Sequence, residues 1–154
     1  MTDIAHRLLA MPALATFDQK VVDVLASQAR VVSVPAGQRI LTEGDPADTF
    51  HIVLSGRVAI EINSPNAGPI AIETLEPGEL LGVSWMLPPY RCTFDARVTD
   101  AAELIAIDAV ALRAAADADP ALGYALFKYV AGVVRDRLQA ARVQVLDLYR
   151  GRDD

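Results

Sequence analysis

The sequence predicts an α+β domain: an antiparallel β jelly-roll barrel flanked by short N-terminal helices and one long C-terminal dimerisation helix. Three observations lead there. Residues 31–107 are rich in β-branched side chains and are cut at short intervals by turn residues, the pattern of a barrel or sandwich of short strands. On either side of that block, apolar residues recur at helical instead of alternating spacing. Beyond residue 120 the helical pattern continues for ~30 residues, far longer than an ordinary globular helix.

Asp3 to Leu9 predicts a short helix that ends before Pro12. Asp18 stands where an N-cap belongs, and Val21, Val22, Leu25 and Ala29 behind it share one helical face, so helices are expected across 3–29. At Val31 the period changes. Val58, Ile60 and Ile62 alternate with Arg57, Ala59 and Glu61, a half-buried strand, and residues 63–69 have the composition of a hairpin loop. "CTFDARV" and "AAELIAI" predict two more strands. Asp108 then caps "AVALRAAADA", and Pro120 opens the last helix from a favoured first-turn position. Val134, Leu138, Ala141, Val145 and Leu148 follow at alternating steps of four and three, a heptad-like seam on a helix reaching about Tyr149. Such a seam packs on the barrel or on its twin in a second chain. A barrel is too short to cover so long a helix, so the twin is the expectation. Residues 1–154 read as one domain without internal repeats.

Composition excludes several functions. A length of 154 residues suits a single domain. A formal charge of -6 argues against a nucleic-acid binder, which ordinarily shows a basic face. No apolar run approaches the ~20 residues that span a bilayer, and Met1 to Ala10, with Asp3 and His6, lacks an apolar core long enough for a signal peptide, so a cytoplasmic protein is expected. Cys92 is the lone cysteine, and His6 and His51 are too far apart to form a metal cluster of the cupin kind. Neither a nucleophile elbow nor a glycine-rich phosphate loop occurs, so no enzyme is expected.

The most distinctive stretch is "LGVSWMLPPYRCTFDARV", with a glycine, the single Trp, two prolines and an Arg. Upstream lies "VPAGQRILTEGDPADTFHIVLSGRVAI", in which Pro35, Gly37, Glu43-Gly44-Asp45 and Ser55-Gly56 mark turns at set intervals. With the element order, these spacings resemble the cyclic nucleotide-binding effector domain of the catabolite activator protein superfamily of bacterial regulators. The resemblance covers about Val31 to Tyr149.

The resemblance implies a ligand held by a phosphate-binding cassette. In that device a helix N-terminus offers free N–H groups to a phosphate, an Arg adds a charged fork, and a Glu accepts from the ribose 2′-hydroxyl. Gly82 matches the cassette glycine, Arg91 the phosphate arginine, and Cys92 and Thr93 the small residues after it. The departure is Val83, which stands where the family has Glu. Valine accepts no hydrogen bond, which costs roughly 1–3 kcal/mol, or about one to two orders of magnitude in nucleotide affinity. Ser84 is the neighbour that partly substitutes. Trp85 replaces a small residue and reads either as core or as a ring filling the pocket. The base-reading part of the last helix corresponds to about Ala140 to Arg142, with Arg142 as its polar side chain. A variant group of the superfamily shares the Gly-x-Ser-Trp and Pro-Pro-Tyr-Arg pattern. The reading is therefore a regulatory module that senses a small anionic ligand, with cyclic AMP or cyclic GMP binding weakly and no cofactor. A homodimer through the last helix, an unidentified protein partner and no helix-turn-helix segment after "YRGRDD" complete it. The alternative is a ligand-independent dimeric interaction module with a closed pocket. Arg91 would then pair with Asp45, Asp48 or Asp95.

Overall fold

A computed structural model describes residues 3–151. Helix α1 spans Asp3–Leu9 and leads through a 3-10 turn at Pro12–Leu14 to α2, Gln19–Ser27. Six strands follow: β1 (Ala29–Val34), β2 (Arg39–Leu41), β3 (Thr49–Ser64), β4 (Gly68–Leu75), β5 (Leu80–Leu81) and β6 (Asp95–Asp108). The chain returns to helix in α3, Ala109–Ala118, and α4, Pro120–Arg150.

The strands form one antiparallel sheet in the order β1-β6-β3-β4, with β2 on β6 and β5 on β3. Both faces are buried. Neighbouring Leu104 and Ile105 on β6 point to opposite sides, one into a cluster with Val53, Val58, Ile60 and Val98, the other into a cluster with Phe50, Leu25, Leu112 and Leu126. The first cluster fills the inside of the sheet, and the second lies between sheet and helices. This two-sided burial and the flanking helices give the expected jelly-roll architecture.

Four details differ from expectation. The two strands expected at 92–98 and 101–107 are one continuous strand, β6, because the long β3 pairs with it from Thr49 to Glu61 across several bulges. At one bulge Gly56 has φ +81, and a Cβ there would lie 2.4 Å from the Ala101 carbonyl, so β3 can cross β6 only with glycine. Ala29 belongs to β1, paired with Ile107, and not to the preceding helix. Asp18 occupies the N-cap of α2 but its side chain makes no capping bond, whereas Asp108 accepts from the Ala111 N–H at 3.0 Å as expected. Ile62 continues the alternation of Val58 and Ile60 but is exposed, because the end of the β3–β4 hairpin extends past the core.

Helix α4 begins at Asp119, whose carboxylate accepts from the N–H groups of Ala121 and Leu122. Its 31 residues extend about 46 Å. Leu122, Gly123, Leu126 and Val130 are buried against α3 and the sheet. From Val134 onward every large apolar residue of the helix is exposed or only half-buried.

Candidate functional site

The cassette stretch joins β5 to β6 and folds back on residues 43–47. Gly82 opens it with φ +106, a backbone that side chains other than glycine rarely adopt. Three backbone bonds then fix the far end: the Ala47 N–H donates to the Tyr90 carbonyl (2.7 Å), the Cys92 N–H to Asp45 (2.8 Å) and the Gly44 N–H to Cys92 (2.8 Å). Arg91 lies between these bonds. Its guanidinium donates to the Gly44 carbonyl at 2.9 Å. The acids that the closed-pocket reading would pair with it are otherwise engaged or out of range. Asp95 sits 3.9 Å from Arg39 and accepts from the Glu43 N–H, and Asp48 is 3.8 Å from Arg113. Among the described residues no carboxylate reaches within 4.0 Å of Arg91, so its charge remains available to an anion.

Trp85 is a core residue. It is 1% exposed and stacks on Phe50 with ring centroids 4.1 Å apart and planes 9° from parallel. The void left beside it, bounded by Gly82, Ser84, Cys92 and Thr93, measures only about 10 Å³. Cys92 is buried, and that burial, reinforced by Asp45, pushes its thiol up, away from reactive thiolate.

Open space lies on the other side of the cassette, against α4. A cavity of about 630 Å³ is lined by Ser84, Leu87, Pro88, Arg91, Thr93 and Phe127 among others. Ser84 Oγ and Thr93 Oγ1 stand 3.4 Å apart at its wall. A second cavity of about 370 Å³ lies between the sheet and the middle of α4, lined by Ile60, Ile72, Phe94, Leu138 and Ala141 with Glu73 and Arg137. Val83 and Val134 line both cavities.

Arg137 is a residue that the sequence reading missed. One corner of its guanidinium donates to the Leu80 carbonyl, and Nε lies 3.7 Å from Glu73. The remaining nitrogen, Nη1, is buried and has no partner. Burial pulls the guanidinium pKa down, with Glu73 and Glu79 opposing that shift. Expectation placed the ligand contact of this helix at Arg142. That side chain is exposed and lines neither cavity, while its neighbours Ala140 and Ala141 line the smaller one. The available signal was position: Arg137 directly precedes the seam residue Leu138 on a face that points back at the sheet.

Arg113 on α3 also escaped notice. Its Nη1 donates to the carbonyls of Trp85 (2.8 Å) and Ala47 (3.1 Å), and its guanidinium lies 4.4 Å from the centre of the Tyr90 ring. One side chain therefore ties both ends of the cassette and the 43–47 loop to α3. Gly82, Val83, Ser84, Arg91, Cys92 and Thr93 are brought together in the loop, as the sequence implied. They face two compartments: Gly82 and Cys92 meet the small void near Trp85, while Val83 and Arg91 meet the open cavities.

Comparison with known proteins agrees with this geometry. The profile of the cyclic nucleotide-binding domain matches residues 31–119. The chain is 27% identical to the CRP-like cAMP-activated global transcriptional regulator of Mycobacterium tuberculosis over 58% of its own length and 40% of that protein's. It is 32% identical to cyclic nucleotide-gated ion channel 2 of Arabidopsis thaliana over 54% of its own length and 13% of the channel's. It thus spans well under half of these curated relatives. A putative cyclic nucleotide-binding protein from Geobacter metallireducens superposes with a TM-score of 0.80 at 28% identity, covering 90% of this chain and 99% of that one. The matched segment is more than half of the chain and contains the whole sheet from β2 to β6 with the glycine-opened loop, and the chain belongs to that family: the cyclic nucleotide-binding domain family.

Proposed function

We propose that this protein is a regulatory module, not an enzyme, that senses a small anionic ligand between its cassette and α4. The observation that carries the reading is the free charge of Arg91 at a cavity shared by cassette and helix: a ligand there touches both elements at once. Binding would shift α4 relative to the sheet and alter the exposed seam, through which two copies would pair. Gly82 and Thr93 shape the loop, Ser84 supplies a hydroxyl, and Val83 withholds the acceptor that a ribose needs.

The test is calorimetry and thermal shift with cyclic AMP and cyclic GMP on wild type, Arg91→Ala and Val83→Glu. Wild type is expected to bind these nucleotides weakly and Arg91→Ala more weakly still. Val83→Glu is expected to tighten binding by about one to two orders of magnitude, because it restores an acceptor for the ribose. Sub-micromolar binding by wild type would contradict the role given to Val83. A second reading, an interaction module that binds no ligand, is favoured by one observation: Trp85 leaves only about 10 Å³ beside Gly82 and Cys92. A panel of small anions that leaves the melting temperature unchanged would select it.

A further inference from the structure

We infer that the ligand of the cassette cavity carries two anionic groups on one apolar body, as a straight-chain dicarboxylate does, and that Arg135 on α4 holds the second of them. This rests on the sensing function proposed above and names the ligand class and a further contact of that same site. The protein as a whole is acidic, with a formal charge of -6. The cavity of about 630 Å³ is the reverse: two arginines line it and, among the described residues, no carboxylate does. One arginine comes from each wall, Arg91 from the cassette and Arg135 from α4. Apart from the hydroxyls of Ser84 and Thr93, the other side chains of the lining are apolar, and on α4 Phe127, Val130 and Val134 lead up to Arg135. Such a lining takes anions at the two guanidiniums and a hydrocarbon middle that gains from leaving water.

Both arginines are open to an incoming ligand. Arg91 is exposed, and its bond from Nη1 to the Gly44 carbonyl neutralises none of its charge. The Arg135 side chain is 70% exposed. Its Nε and Nη2 each lie 3.1 Å from the carboxylate of Asp136, the next residue, which is itself 69% exposed. A pair between two exposed neighbours contributes little and yields to a competing carboxylate, so Asp136 acts as a resident competitor for the ligand. The two guanidiniums are anchored on different elements, Arg91 at Gly44 and Arg135 at its own helix. An anion at each end of the ligand therefore meets both without moving Arg91 from its anchor. A cyclic nucleotide has one negative charge and satisfies one arginine only, while Val83 denies its ribose an acceptor. A ligand with an anion at each end joins cassette to α4 directly, the contact that the proposed sensing requires.

The experiment is calorimetry on the full chain with hexanedioate, octanedioate and decanedioate, and with cyclic AMP and cyclic GMP. Each diacid is compared with its monomethyl ester, which keeps the chain and removes one charge. Wild type, Arg91→Gln, Arg135→Gln and Asp136→Asn are measured. Wild type is expected to bind the best diacid about three- to fivefold more tightly than its ester, the value of one exposed charge pair. Arg135→Gln should bring that ratio to about one and leave the ester nearly unchanged. Asp136→Asn should raise the ratio, because it removes the competitor. Opposite shifts from two neighbouring exposed residues are not a result that loss of folding produces. Arg91→Gln should weaken diacid and ester alike. Diacid and ester bound equally by wild type, or a ratio unchanged in Arg135→Gln, overturns the inference. Nucleotide binding by wild type without diacid binding overturns it as well and leaves the sensing function standing. Failure of every probe overturns both proposals.

Discussion

The two halves of α4 are made of similar residues and sit in opposite surroundings. Leu126 in the first half is 1% exposed, packed with Leu112 of α3 and Ile107 of β6. Leu148 in the second half is 72% exposed, and Val145 and Tyr149 are more than half exposed. Arg137 marks the boundary, the last side chain of the helix bonded to the sheet. The difference teaches that the same apolar periodicity serves two ends on one helix. In the first half it builds the core of this chain. In the second half it leaves a stripe that the described residues leave largely exposed.

The sharpest way to break the comparison is to shorten the same residue type on each side. Leu126→Ala should cost about 2–5 kcal/mol in urea unfolding, because it empties a closed site. A loss below 1 kcal/mol would mean that the first half is not core. Next in size is the response to acid of the sheet beneath that half. His51 is 8% exposed, and burial, helped by Arg30, lowers its pKa from 6.5 to about 4. The folded state therefore prefers the neutral ring. Its stabilising contribution is complete above pH 6.5 and is lost as pH falls toward 4, with a total of about 3 kcal/mol. His51→Leu should flatten that slope, and an unchanged slope would remove His51 as its cause. Arg113→Met keeps the aliphatic stem but removes both bonds to carbonyls, and should cost about 1–3 kcal/mol in the same unfolding assay. The smallest effect belongs to the second half. Leu148→Ala should change unfolding of the dilute protein by less than about 0.5 kcal/mol. Val145→Asp with Leu148→Asp should instead lower the particle mass in light scattering at micromolar concentration. A wild type already monomeric there would remove the proposed pairing.

Much of this was legible in the chain. The short helix at Asp3–Leu9, the cap at Asp108, the first-turn Pro120 and the run of strands follow from local rules that tertiary packing did not overrule. The cassette positions followed from glycine and arginine spacing. Continuity of β6 was not legible, because "VTDAAE" has turn composition and only the partner strand β3 carries the chain through it. Arg113 and Arg137 were not legible either. Both donate to backbone carbonyls, and a carbonyl leaves no trace in the residue types at Ala47, Trp85 or Leu80. Trp85 was half legible: its size argued for core, but its ring partner Phe50 lies 35 positions earlier and pairs with it only once β3 and the loop are assembled.

The hold of Arg113 on carbonyls has an evolutionary consequence. A side chain that grips backbone places no demand on the identity of the residues it grips. The two Arg113 bonds set no residue type at positions 47 and 85; what constrains those side chains is their own burial, at position 85 the stacking on Phe50. Loop sequence and loop placement are thereby separated: a lineage can rewrite what the cassette recognises while one arginine on a neighbouring helix keeps it where it is.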